Sequence, residues 1–210
     1  MTRAPLLPLP DYQRIYQVIY SVLQASEIAL THRACFFFAS VGTLLLREHY
    51  HLPATFSVGC MALMVNEADS KVVVYGRQEN DTFVVDEQGF HAWVECNGWL
   101  VDFMAPIMGM ALMEDGHAMK VPRRMLQKPL AAGKGALAEI EHEGDFYIDH
   151  EKSLAESILD SQGTQYGDLL HVCRTWFSRP PKQLRQIAIA DSHGPTKRLV
   201  AQAPSIDGVW

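Results

Sequence analysis

The 210-residue chain lacks most of the features that would place a protein in a specialised class. Its four cysteines follow no regular spacing, which excludes a disulfide framework and points to a reducing cytoplasm. No uninterrupted apolar run approaches the length needed to cross a bilayer, so no membrane partner is expected. Residues 1–10 hold two leucine–proline steps but no continuous apolar stretch, and are not read as a signal peptide. Basic residues are scattered: Arg123-Arg124 and Lys197-Arg198 are isolated pairs in a chain of net charge −6, which argues against nucleic acid. His49-Tyr50-His51 stands without a Cys-x-x-Cys or His-Glu-x-x-His, so no metal is expected. Gly133-Lys134-Gly135 lacks the upstream strand and spacing of a phosphate loop, and no other cofactor signature is present. Internal repeats are absent.

What is there reads as one ordinary globular domain, 48% hydrophobic and 20% charged, spanning residues 1–210. Residues 11–30 form an amphipathic helix, with Ile15, Val18, Ile19, Val22 and Leu23 spaced for one face. Residues 55–65, 71–75, 82–85, 90–96 and 99–104 read as successive strands with short polar connections. Residues 104–125 are rich in methionine, which suits either a gap-filling loop or an apolar lid. Residues 131–138 are a small-residue connector, and the acidic run 139–151 reads as a solvated segment. Residues 153–160 and 166–177 look helical, and Arg179-Pro180-Pro181 ends the second of these. The tail 191–210 is an arm packed on the body or a partly ordered end. The core is therefore placed at about residues 11–106, with a helical C-terminal extension at about 150–190. Helices flanking a run of strands make the class α+β, not a doubly wound parallel sheet.

The chemistry concentrates around one turn. Asn97-Gly98 lies between two strand-like runs, and a type I′ turn needs positive φ at both central positions. The two-residue loop fixes the register: Cys96 faces Trp99, Val94 faces Val101, and Trp93 faces Asp102. Alternation then puts His91, Trp93 and Glu95 on one face, together with Leu100 and Asp102 of the return strand. Asp102 becomes the diagonal neighbour of His91, roughly 7–8 Å away, a gap that an imidazole and a carboxylate can close. The plainer alternative is a hairpin with one half-buried histidine and one edge aspartate.

Upstream, residues 34–49 are apolar and free of proline, the pattern of a buried helix. Thr31 is placed as its N-cap, so that Cys35 falls in the first turn. Free backbone N–H groups and the positive end of the helix dipole favour a thiolate there and can receive an oxyanion. Read plainly, Cys35 is a small buried hydrophobe, as Cys60, Cys96 and Cys173 are expected to be. Only Cys35 pairs a helix start with a downstream histidine strand.

A cysteine heading a buried helix, a strand reading His91-Ala92-Trp93-Val94-Glu95, an Asn-Gly turn and Val101-Asp102 on the return resemble the transglutaminase-like branch of the papain-like cysteine superfamily. Small bacterial transglutaminase-like proteins, the leader-peptide proteases of lasso-peptide maturation and, more distantly, the arylamine N-acetyltransferases are similar over residues 30–106, about a third of the chain. The resemblance implies a papain/transglutaminase-like fold: N-terminal helices, the cysteine helix packed on an antiparallel sheet, and helices at the C-terminus. It implies Cys35 as nucleophile, His91 as general base and acid, and Asp102 as the orienting carboxylate. Trp93 and Glu95 share that strand face and are candidates for lining the site. No upstream glutamine-like donor matches the family pattern; Gln24, Thr31 and His32 are the polar residues available. Two functions follow. One is a cysteine-dependent hydrolase or acyltransferase acting on the amide or ester carbonyl of a peptide, protein or small amide. The other is an inactive member of the fold that binds a peptide or protein. The oligomeric state and the acceptor, water or amine, are not written in these residues.

Overall fold

The computed structural model describes residues 4–27, 30–80, 82–180, 182, 186–190 and 194–210. Helix α1, Leu9–Ser26, starts after Pro8 and buries Tyr12, Ile15, Tyr16, Ile19 and Leu23, a stripe at helical spacing. It ends where Glu27 turns into the left-handed region at φ 54°, earlier than the sequence pattern suggests. Residues 28 and 29, which complete the expected helix, lie outside the described residues, as do 181 and 191–193. Helix α2, Cys35–Tyr50, is apolar on nearly every side, and Phe36, Phe37, Phe38, Val41, Leu45 and Leu46 are all buried. Gly42 lets it approach the sheet: a Cβ there would lie 2.4 Å from the Phe103 ring, beside Asp102.

Seven strands form the main sheet. They are β1 (Thr55–Asn66), β2 (Lys71–Tyr75), β5 (His91–Cys96), β6 (Trp99–Asp102), β7 (Arg124–Pro129), β8 (Phe146–His150) and β11 (Gly208–Val209). Their order is β11-β7-β6-β5-β1-β2, with β8 also paired to β1. Short strands β3 (Arg77–Glu79) and β4 (Thr82–Val84) make one separate hairpin, and β9 (Ala188–Ile189) pairs with β10 (Lys197–Arg198). Between the strands lies the short helix α3, Met108–Glu114; beyond β8 come α4, Lys152–Asp160, and α5, Thr164–Trp176. One sheet face packs on α1, α2 and α5 around Val94, Val101 and Phe103. The other closes over Trp93, Leu100, Met108 and Phe146.

The sheet is mixed, not purely antiparallel: β11 pairs parallel to β7, bringing Val209 opposite Met125 and Trp210 N–H onto the Met125 carbonyl. The tail thus includes an arm packed on the body. The acidic run also differs from expectation. Phe146 is fully buried opposite Leu63, Ile140 is nearly so, and β8 carries its acidic and polar groups at its exposed end. Charge along the segment masked the hydrophobes that dock it, Phe146 and Ile140. Among the described residues, no helix is long and apolar enough to cross a membrane.

Candidate active site

The Asn-Gly turn is built as its residues demand. Asn97 and Gly98 both have positive φ, 50° and 77°, and β5 pairs with β6 through Val94–Val101, Glu95–Leu100 and Cys96–Trp99. That register brings His91 and Asp102 together, with His91 Nε2 2.9 Å from Asp102 Oδ2, both residues essentially without solvent exposure (0% and 1%). Asp102 is held through both its side chain and its backbone. Its carboxylate Oδ1 accepts the Met104 N–H at 2.8 Å, and its main-chain carbonyl accepts the Tyr12 hydroxyl, whose ring stacks on Phe103 at 4.9 Å. A carboxylate so fixed orients the imidazole and fixes which nitrogen it engages.

Cys35 is the first residue of α2. Thr31 is not the helix cap. Residues Thr31–Arg33 form a separate 3₁₀ turn, Ala34 holds the cap position without a side-chain bond, and the Thr31 hydroxyl accepts from Gln24 Nε2 at 2.8 Å. The cysteine nevertheless sits where the first amides of a four-turn helix lack intrahelical partners. Its thiol is the second group to act on the His91 ring, by hydrogen bonding and by charge. With Nε2 engaged by Asp102, the nitrogen left for sulfur is Nδ1, which is buried and makes no hydrogen bond of normal geometry.

Burial works against a charged imidazole here. The Asp102 carboxylate, by charge and hydrogen bond, and then Cys35 outweigh it, and the His91 pKa is raised to about 10. The surroundings therefore favour the protonated form of the ring. Burial pushes the thiols of Cys60, Cys96 and Cys173 upward.

Trp93 and Glu95 lie on the predicted strand face but do not join this group. The Trp93 indole donates to Glu95 Oε1 at 2.9 Å, the same oxygen lies 2.5 Å from His150 Nε2, and Trp93 packs edge-on against the His150 ring. Trp93 is a core residue of the second sheet face. The methionine-rich segment divides: Met104, Met108 and Met125 fill the core, while Met113 is exposed on α3. Ion pairs of His32 with Glu114 and Arg33 with Asp115 tie the end of α3 to the turn just before Cys35.

Two residues at the site carried no local sequence signal. Tyr12 reaches Asp102 across ninety positions, and Tyr75 stacks on His91 with ring centroids 4.1 Å apart. For Tyr75, the β1 register alone could have revealed the contact. A cavity of about 490 Å³ opens nearby, lined by Ala34, Phe36 and Phe90, which flank Cys35 and His91 in sequence, and by Ile158, Gln162 and Tyr166. Among the described residues, no three His, Cys, Asp or Glu side chains are grouped to hold a metal ion.

The fold and site describe an α+β protein with a mixed sheet flanked by helices and a buried cysteine–histidine–aspartate group. The chain belongs to the family described as Protein of unknown function (DUF2026), whose model matches residues 8–210. It is similar to a solved structure described as the crystal structure of genomics APC5867, at 29% identity and a TM-score of 0.82, covering 100% of this chain and 99% of that one. No curated protein matches it.

Proposed function

We propose that this protein is a cysteine-dependent acyl-transfer enzyme of the transglutaminase-like kind, acting on an amide or ester carbonyl. The observation that carries the reading is the buried His91–Asp102 pair, 2.9 Å apart, with Cys35 at the head of α2 acting on the same ring. Cys35 Sγ attacks the carbonyl carbon, forming a C–S bond and moving the π pair onto oxygen. Amides of the first turn of α2 receive that charge. Collapse breaks the bond to the leaving amine or alkoxide, which takes the His91 proton, and a thioester remains. Water or an amine, deprotonated by His91, then attacks the thioester carbon; collapse breaks the C–S bond, releases the acid or the new amide, and returns Cys35 as thiolate beside protonated His91. Water gives hydrolysis and an amine gives transfer.

The test is acylation of the thiol itself. Incubation with p-nitrophenyl acetate should place one acetyl group on Cys35, read by mass spectrometry of the digested protein, and Cys35→Ala should abolish it. Acetyl groups on other cysteines only, or none at all, would remove the basis of the proposal and favour a fold that binds a peptide without turnover.

A further inference from the structure

An acyl-transfer site needs donors for the oxygen that becomes negative, and the backbone amides of a helix start are usually joined by a side chain. The polar residues just upstream of Cys35 are engaged elsewhere. Gln24 Nε2 donates to Thr31 Oγ1, and His32 pairs with Glu114. The opposite wall of the site is the sheet. There β1 pairs with two strands in succession, so that His91 lies opposite Gly59 and Tyr75 opposite Met61, two positions along on the same face. The Tyr75 and His91 rings stack nearly parallel, at 20°.

The Tyr75 hydroxyl is buried and has no hydrogen-bond partner among the described residues. Burial first, then the nearby Asp102 and Cys35 charges, raise its pKa well above the ordinary value, so the group stays protonated and can only be a neutral donor or acceptor. A buried donor without an acceptor is destabilising, and folded proteins rarely leave one unmatched. An acceptor that exists only during the reaction resolves it.

We infer that Tyr75 is a catalytic residue whose hydroxyl hydrogen-bonds the oxyanion of the tetrahedral intermediate formed on Cys35, alongside the first amides of α2. This rests on the acyl-transfer reading above. When the Sγ–C bond forms, the carbonyl π pair moves onto oxygen and Tyr75 donates a hydrogen bond to it, keeping its own proton. When the oxygen returns its pair, the leaving group departs with the proton of His91, and the Tyr75 hydroxyl is released unchanged.

Tyr75→Phe separates this role from a packing role, because it keeps the ring that stacks on His91 and removes a hydroxyl with no partner to lose. Two reactions at the same sulfur are compared. Acetylation by p-nitrophenyl acetate passes through an oxyanion, whereas alkylation by iodoacetamide is a direct displacement at saturated carbon and forms none. The variant should acetylate Cys35 about 10²-fold more slowly, while its alkylation rate and the pH dependence of that rate stay within about twofold of wild type. Equal loss in both reactions would assign Tyr75 to holding the His91 ring and overturn the oxyanion role. Unchanged acetylation would overturn it as well. If wild-type Cys35 alkylates but never acetylates, the acyl-transfer reading itself falls and takes this one with it, a result visible before any variant is made.

Discussion

Strand β5 carries one histidine–carboxylate pair at each end, and the two differ in nearly everything but composition. At its start, His91 meets Asp102 with both side chains buried; near its end, Glu95 meets His150, whose side chains are 22% and 40% exposed. In the first pair, burial opposes charge and is outweighed by Asp102 and Cys35, so the imidazole gains protons. In the second, burial again opposes charge on Glu95, but hydrogen bonds from His150 and Trp93 outweigh it and the carboxyl pKa falls. The second pair is a surface ion pair braced by an indole. The first has a neighbouring thiol and a ring nitrogen to spare, and the proposed reaction draws on that difference.

The largest effect expected from breaking this comparison follows Asp102→Ala. Removing one partner of a buried charged pair costs about 3–5 kcal/mol, read as a shift in urea midpoint, whereas Glu95→Gln should cost no more than about 1 kcal/mol because water screens that pair. A similar cost for both would mean that burial does not distinguish them. Activity should separate more sharply: Asp102→Asn is expected to lower the Cys35 acylation rate by at least about 10²-fold by releasing the imidazole from its orientation, and Glu95→Gln should leave it within about threefold.

The pH dependences should run in opposite directions. His91 has a folded pKa raised above its ordinary 6.5, so its pairing contributes fully below about 6.5 and is lost as pH rises through about 10. The stability gap between wild type and Asp102→Asn should therefore be widest near pH 6 and narrow toward pH 10. Glu95 has a folded pKa lowered from 4.5, so its contribution is present above 4.5 and disappears as the solution becomes more acidic. The Glu95→Gln gap should close in acid instead. Gaps that move together would break the contrast. The smallest effect is expected at Glu114→Gln, which removes an exposed pair beside the Cys35 turn and should change stability by less than about 0.5 kcal/mol.

The parts of this site that the sequence made legible are those encoded over short distances. Asn97-Gly98 set the register that joins His91 to Asp102, and an unbroken apolar run placed Cys35 at a helix head. What was hidden depends on partners far along the chain. Strand β8 pairs with β1 and buries Phe146 inside a charged run, and the parallel strand β11 is only two residues long, too short for any periodicity. Thr31 has the chemistry of a cap, but a 3₁₀ turn intervenes and a glutamine from α1 takes its hydroxyl. Alternation places Trp93 and Glu95 on the His91 face but says nothing about distance along a strand, and His150 engages Glu95 instead. Tyr75 reaches His91 only because two strands share β1.

The account depends most on His91 activating Cys35, and the rate of iodoacetamide labelling at pH 6.5, followed cysteine by cysteine, tests that directly. Cys35 should label much faster than Cys60, Cys96 and Cys173, and His91→Ala should reduce it to their rate. Four cysteines reacting at one slow rate in the wild-type protein, or a Cys35 rate indifferent to the loss of His91, would contradict it.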